Sequence, residues 1–154
     1  MFDYMKLQIE ALKLLNKDKT KDRVRVYVDD TDVLFTPDGQ RAYRIPASQF
    51  FLDPSKIQEF RGLANIMNTE HGQEVELTTE KMIAANGKDD LLIFKFADGK
   101  RAYINEAYIK TILPKPNTNH YYHFYMASPE SALKVFEDNE CVAVFMPVVS
   151  KNKG

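Results

Sequence analysis

Cysteine is nearly absent from this sequence, which has a single one, Cys141, among its 154 residues. One cysteine excludes a disulfide within the chain, and its position in an apolar stretch is typical of a residue that packs in a core. Because disulfides are rare in reducing compartments, a chain without one is typical of a cytoplasmic protein, and we expect that location.

Long apolar runs and an excess of one charge are also lacking. No segment approaches the roughly 18 consecutive apolar residues that identify a membrane-spanning helix, and Met1–Lys6 carries charges where a secretory signal would be apolar. The chain has 21 Lys and Arg against 22 Asp and Glu. This balance indicates no particular partner, and we expect neither export nor membrane insertion.

The common catalytic motifs are missing as well. The sequence has no phosphate-binding glycine loop, no dinucleotide fingerprint, no His-Glu-x-x-His and no Cys-x-x-Cys. His120 and His123 are three residues apart in a predicted strand, where their side chains would face opposite sides and could not share a metal. His71 falls in a predicted loop. We therefore expect no metal and no cofactor.

One short segment does suggest catalysis. Tyr27-Val28-Asp29-Asp30 is similar to the Tyr-x-Asp-Asp hairpin of reverse transcriptases, in which paired carboxylates bind two metal ions. Such a polymerase also needs a further carboxylate on a neighbouring strand and a region that holds the template, and 154 residues leave little room for both. We favour the interpretation that these aspartates solvate a β-turn, and we expect no enzyme.

Periodic patterns predict a mixture of helices and strands. An amphipathic helix is predicted over 4–17, with Met5, Ile9, Leu12 and Leu15 facing the core. Asp53-Pro54, an N-cap acceptor followed by proline, predicts that a second helix runs to Met67. Asn105 is the expected N-cap of a third helix that runs to Leu113. The second helix should bury Ile57, Phe60, Ala64 and Met67. Strands are predicted over 24–28, 33–35, 41–45, 75–77, 91–96, 100–104, 121–126, 132–137 and 141–149.

A six-residue segment occurs twice in the sequence with nearly the same residues, each time at a predicted turn that leads into a strand; we call this repeat the internal echo. Asp38–Tyr43 and Asp98–Tyr103 agree at all but one of their positions. The echo has two interpretations: duplication of a half-domain, or chance similarity between two hairpins with the same turn chemistry.

Two longer segments resemble a known family. Leu7–Leu15, followed by Arg23–Val28 and Val33–Thr36, resembles the helix and hairpin of a domain of the bacterial DNA sliding clamp, the β subunit of DNA polymerase III. Arg101–Asn105 resembles the strand that enters the second helix of that domain. The segments from Tyr108 to Leu113 and from Ala127 to Val149 then resemble that helix and the final hairpin, in the family's order.

The resemblance implies an α+β fold: one DNA-clamp-like domain over 1–149, with two helices packed on antiparallel sheets and a basic tail over 150–154. The segment between Thr36 and Arg101 is longer than the family needs, so we expect a helical insertion over about 47–90. A ring built from single domains of this kind would be a homo-oligomer of about six subunits joined through edge strands.

The resemblance also implies a function. It suggests a non-catalytic, processivity-type accessory protein of DNA replication. Such a protein would contact duplex DNA through helix lysines and would dock peptide motifs of replication or repair proteins beside its last strand. The alternative is a clamp-shaped protein-interaction module or inhibitor, of phage or mobile-element origin, that does not encircle DNA. Carried over by position, the DNA-binding residues would be Lys6, Lys13, Lys17 and Lys110, and the peptide-binding residues would be Val144, Met146, Pro147 and Val148.

These residues also have a purely structural interpretation. The lysines would then form an ordinary solvated helix face, which Glu10 interrupts, and Val144 and Met146 would complete the core of the last strand.

Overall fold

The computed structural model describes residues 4–68, 72–112 and 122–148. Contacts within the chain divide it into two compact units. Of the described residues, 4–68 and 141–144 form the first unit, and 72–112, 122–140 and 145–148 form the second. The expectation of one domain over 1–149 stays a prediction.

The first unit combines helices with a mainly antiparallel group of strands. The elements are α1 (Tyr4–Leu15), β1 (Arg25–Asp29), β2 (Asp32–Thr36), β3 (Arg41–Pro46), β4 (Gln58–Glu59), α2 (Gly62–Asn68) and β10 (Glu140–Phe145), with 3-10 turns at Lys21–Arg23, Ala47–Gln49 and Pro54–Lys56. The strand order is β4-β1-β2-β3-β10, where β10 contributes its residues 141–144. Strand β2 pairs antiparallel with both β1 and β3, and the short β4 runs parallel to β1.

The second unit is an antiparallel group of strands with one short helix. The elements are β5 (Gln73–Ile83), β6 (Asp90–Lys95), β7 (Arg101–Asn105), α3 (Glu106–Lys110), β8 (Tyr122–Met126) and β9 (Leu133–Glu137). The strand order is β9-β8-β5-β6-β7, and each neighbouring pair is antiparallel. The helix α3 begins directly after β7, where Asn105 accepts the N–H of Ala107 and caps the helix as the sequence predicted.

The chain is therefore a mixed α and β protein, and the α+β character expected from the sequence is confirmed at that level. Burial alternates along some strands, as in β1, where Val26 is buried while Arg25 and Tyr27 are partly exposed. By contrast, β2, β6 and β10 are each buried over at least four consecutive residues. No helix in the described part of the chain is both long enough and apolar enough to cross a membrane.

The predicted helix over 54–67 is wrong as a continuous element. Asp53 does cap the start, since its Oδ1 accepts the N–H of Ser55 at 3.0 Å, but only a 3-10 turn follows. The chain then extends, β4 pairs with β1, and the Phe60 N–H donates to the Val26 carbonyl at 3.0 Å. Only Gly62–Asn68 is α-helical. Ile57 and Met67 are buried as expected, whereas Phe60 and Ala64 are partly exposed.

The predicted last strand is also too long. Strand β10 ends at Phe145, and Met146–Val148 has no regular secondary structure, because Pro147 lacks the N–H that a strand ladder requires. Residue 149 lies outside the described residues. The third helix is likewise shorter than predicted: it ends at Lys110, and Leu113 lies outside the described residues.

The two six-residue segments of the internal echo share two features of their turns. Asp38 and Asp98 each accept, through Oδ1, the N–H of the residue two positions later, at 2.9 and 3.0 Å. Gly39 and Gly99 follow with φ of 84° and 91°, a left-handed conformation that glycine adopts without strain. These shared features concern the Asp-Gly part of the repeat, and both interpretations, duplication and chance similarity, stay hypotheses.

Candidate interaction surface

Helix α1 packs with a different face from the one the sequence predicted. Its buried residues are Leu7, Gln8 and Ala11. The predicted inward residues Met5, Ile9 and Leu12 are instead 64%, 47% and 40% exposed. The helix therefore presents an apolar stripe at i, i+4 and i+7 on its outer side, and the core-facing assignment for those three residues is corrected.

Gln8 explains why the helix takes this orientation. Its Oε1 accepts the N–H groups of Phe51 and Leu52 at 2.7 and 3.3 Å, while its Nε2 donates to the carbonyl oxygens of Tyr4 and Gln49 at 2.9 and 3.0 Å. Gln8 is fully buried, so turning it outward would leave the backbone groups of this segment without these partners. This one side chain fixes both the rotation of α1 and the path of the segment that contains Phe51.

The exposed stripe leads into a groove of about 340 Å³. Leu12 belongs to both the stripe and the groove, and Phe51, which is 51% exposed, precedes a groove residue. We call the stripe, Phe51 and the groove together the α1 surface. The groove is lined by the apolar residues Leu12, Leu15, Leu52 and Ile57 and by the polar residues Lys21, Asp22, Asp53, Lys56 and Gln58.

Three of the four predicted DNA-binding lysines lie beside this stripe. Lys6, Lys13 and Lys17 are exposed and recur at helical spacing, although α1 ends before Lys17. Glu10, which lies between them on the same face, is ion-paired with Arg41 of β3 at 2.9 Å. The fourth, Lys110, lies on α3 in the second unit and is ion-paired with Glu106 at 3.5 Å.

The predicted peptide-binding residues differ in exposure. Val144 is buried in the first unit and is a core residue, as its structural interpretation expected. In the second unit, Met146 and Val148 are exposed and Pro147 is partly exposed. The Val148 N–H donates to the carbonyl of Tyr103 on β7 at 2.8 Å, so the backbone there is already paired. A peptide site at Met146, Pro147 and Val148 stays a prediction.

The aspartates of the β1–β2 turn contact a cation of the chain itself. Arg44 Nη1 lies 3.4 Å from Oδ2 of Asp32 and 4.0 Å from Oδ2 of Asp29. Asp30 is exposed at the turn with φ 56°, which aspartate tolerates better than most residues. Across residues 4–68, 72–112 and 122–148, no group of three or more His, Cys, Asp or Glu is arranged to hold a metal ion.

The histidines contribute no further cluster among the described residues. His123 Nδ1 lies 2.9 Å from Glu74 Oε2, in a contact between β8 and β5. His71 and His120 lie outside the described residues.

Comparison with known proteins found no match: no protein-family model, no curated protein and no solved structure matches this chain.

Proposed function

We propose that this chain is a non-catalytic, clamp-like protein-interaction module that docks another protein through the α1 surface. The observation that carries this proposal is the exposure of Met5, Ile9 and Leu12 on a helix whose opposite face is locked into the core. A single exposed apolar side chain needs no explanation, but a continuous stripe that leads into a groove is typical of a binding site.

The hydrogen bonds of Gln8 support the view that this exposure is a stable property of the fold. Rotating α1 by one residue, about 100°, would bring the stripe toward the core. The same rotation would break the three hydrogen bonds that join Gln8 to Gln49, Phe51 and Leu52, and it would expose Leu7. Fully burying an exposed Leu, Ile or Met side chain contributes about 1.5–3 kcal/mol. Since Met5, Ile9 and Leu12 are 64%, 47% and 40% exposed, a docked partner would supply roughly half of that for each, without that disruption.

The resemblance to the sliding clamp supports a partner protein from the replication or repair machinery. The order of a helix followed by three antiparallel strands, and later of a strand, a helix and further strands, is compatible with the expected clamp-like arrangement. We therefore propose a partner from replication or repair machinery, and an origin in a phage or mobile element, where a small interaction module or inhibitor would act.

The test compares two identical substitutions. Ile9→Asp places a charge in the α1 surface, and Ile83→Asp places the same charge at an exposed position of the second unit. Affinity-tagged wild type and both variants would be used to capture proteins from the cells that produce the chain. Each captured protein would then be purified and its dissociation constant measured. Loss of binding by Ile9→Asp alone is expected, whereas equal binding by both variants would contradict the proposal.

A second candidate function is contact with duplex DNA, as in a clamp that encircles it. The ion pair between Glu10 and Arg41 favours it, because it compensates the one acidic charge on the face that carries Lys6, Lys13 and Lys17. Binding that neutralises phosphates weakens steeply as salt rises. Fluorescence anisotropy of a labelled duplex at low and moderate salt tests this candidate, with Lys13→Glu as the variant that should lose binding.

The solution mass separates the two candidates. A mass of about six subunits by light scattering would support a closed ring of single domains and hence the DNA clamp. A monomer or a simple dimer would contradict the ring and favour the interaction module.

A further inference from the structure

We infer that the occupant of the α1 surface is an amphipathic helix that carries acidic side chains along one edge of its apolar stripe. This inference rests on the proposed function and adds to it the conformation and charge of the partner. Three observations carry it: the spacing of the stripe, the charges at its edge and the geometry of self-pairing.

The spacing of the stripe fits a partner helix. Met5, Ile9 and Leu12 repeat at steps of four and three residues along a helix of 12 residues. Two helices pack when the side-chain rows of one fit between those of the other. A partner helix with apolar residues at steps of three and four would therefore contact Met5, Ile9 and Leu12. An added strand is less suitable, because the neighbouring edge strand β4 has only two residues to offer for backbone pairing.

The lysines beside the apolar stripe of α1 favour a partner helix with negative charge. Neither Lys13 nor Lys17 has an ion-pair partner among the residues that the structure describes. Glu10, on the same face, is engaged by Arg41, so it does not compensate those lysines. Glutamate or aspartate beside the partner's apolar stripe would meet this basic edge, and complementary charges of this kind contribute to specificity and association rate.

The groove end of the α1 surface adds no charge preference of its own. Lys21 and Lys56 are balanced there by Asp22 and Asp53. Lys21 also lies 3.5 Å from Asp18, and Asp53 accepts hydrogen bonds from the backbone N–H and the hydroxyl of Ser55. The preference for an acidic partner therefore comes from the lysine edge of α1.

The same edge argues against a second copy of the chain as the occupant. If two α1 helices packed antiparallel about a twofold axis through their stripes, the lysine edge of one copy would lie along the lysine edge of the other. Like charges placed side by side in an interface oppose association. A partner with the opposite charge at that edge avoids this repulsion.

Synthetic peptides test the inference on the full chain. The probe is a fluorescein-labelled helical peptide of about 18 residues, with leucines at four- and three-residue steps and glutamates at one edge. A second peptide has lysines in place of the glutamates, and a third has serines in place of the leucines. Anisotropy at low salt should give a dissociation constant at least about tenfold lower for the acidic peptide than for the basic one. This difference should shrink in about 1 M salt, where screening acts over roughly 3 Å.

Variants identify the site. Ile9→Asp should abolish binding of the acidic peptide, whereas Ile83→Asp should leave it unchanged. The double variant Lys13→Glu, Lys17→Glu should bind the basic peptide more tightly than the acidic one, the reverse of the wild type. Its affinity for the serine peptide should be no higher than that of the wild type. Circular dichroism and denaturant unfolding of each variant would show that the fold is retained, since all of these side chains are exposed.

The outcomes distinguish this inference from the function on which it rests. Equal binding of the acidic and basic peptides, sensitive to Ile9→Asp, would overturn the acidic partner and leave the docking surface in place. If no leucine peptide binds but captured proteins still depend on Ile9, the helical partner is wrong and the proposed function stands. If neither depends on Ile9, both fail. Self-association that Ile9→Asp abolishes would identify a second copy as the occupant and overturn the inference.

Discussion

Arg41 of β3 donates a hydrogen bond from Nη2 to Oε2 of Glu10 on α1, across 2.9 Å. The same guanidinium donates from Nε to Asp38 at 3.1 Å and from Nη1 to the Tyr43 hydroxyl at 3.3 Å, and its side chain is only 11% exposed. Burial alone would lower the pKa of Arg41, but Tyr43 and the two carboxylates outweigh burial and raise it. The side chain is a fixed positive charge that ties the helix to the strand.

Replacing Arg41 with alanine should therefore destabilise the chain by about 2 kcal/mol, since hydrogen bonds to charged groups contribute roughly 1.5–3 kcal/mol. The free energy of unfolding from a urea titration measures the loss, and the slope of the titration should stay unchanged. The matched control is Arg101→Ala, which changes the corresponding residue of the second six-residue segment. Arg101 is exposed and lies 3.5 Å from Glu80, so its loss should cost below about 1 kcal/mol. Equal losses would contradict a special role for Arg41.

Gln8→Leu should destabilise the chain although it replaces a polar side chain with an apolar one of similar size. The N–H groups of Phe51 and Leu52 would lose the acceptor that they share, and each buried group left without a partner costs about 1–3 kcal/mol. The free energy of unfolding should fall by roughly 3 kcal/mol. Hydrogen exchange at these two amides should accelerate more than exchange in the second unit.

Gln49→Ala is the control for this substitution. The Gln49 side chain is exposed, and only its backbone carbonyl accepts from Gln8, so the variant should be within about 0.5 kcal/mol of the wild type. If Gln8→Leu proved as stable as Gln49→Ala, the orientation of α1 would not depend on these hydrogen bonds.

The sequence predicted local turns and caps well because their causes are local. Asn105 and Asp53 were identified as caps, and each accepts the N–H of the residue two positions later. The turns at Gly39 and Gly99 follow from positive φ, which glycine favours. These features depend on a few neighbouring residues, so a single sequence suffices to find them.

The face of α1 could not be derived in the same way. Its sequence offers two apolar rows, one with Met5, Ile9 and Leu12 and another with Leu7, Ala11 and Leu14, and periodicity alone does not rank them. The choice depends on Gln8, whose partners outside the helix lie more than 40 residues later in the chain. A buried glutamine is a weak signal in a sequence because most glutamines are exposed.

The helix expected over 54–67 failed for a comparable reason. Its apolar spacing fits a helix, but Gln58–Glu59 pairs with β1, which adds long-range hydrogen bonds that local propensity cannot anticipate. These two errors are the reason why the sequence did not predict the α1 surface: Ile57 was assigned to the buried stripe of a helix, and Leu12 was assigned to the core. Both residues line the groove.

Two matched leucine substitutions test the corrected face of α1. Leu7 is 2% exposed, and Leu7→Ala should lower the free energy of unfolding by about 3 kcal/mol, within the range for buried leucines. Leu12 is exposed, and Leu12→Ala should lower the free energy of unfolding by about 1 kcal/mol or less, because the substitution removes less buried apolar area. Urea titrations of both variants measure the difference. A larger loss for Leu12→Ala would favour the face that the sequence predicted.

The stability of the second unit should depend on pH through Glu106. This carboxylate opens α3, its side chain is largely buried, and it is ion-paired with Lys81 of β5 and, at 3.5 Å, with Lys110. Contact with the Lys81 ammonium lowers the pKa of Glu106 below its ordinary value of 4.5, although burial opposes the shift. A carboxyl whose pKa is lowered by folding contributes stability that is complete above its unfolded pKa and is lost as the pH falls through the folded value.

Glu106→Gln should therefore remove part of the acid sensitivity of the protein. The wild type should lose free energy of unfolding as the pH falls below about 4.5, and the variant should lose less over the same interval because glutamine does not titrate. At neutral pH the variant should be less stable, since Lys81 and Lys110 lose the charge that they share. Urea titrations at a series of pH values measure both effects, and Glu76→Gln, at an exposed position of β5, is the control that should leave the acid slope unchanged. Identical acid slopes for Glu106→Gln and the wild type would show that the ion pairs of Glu106 do not stabilise the fold, and the role of this carboxylate would then be limited to the start of α3.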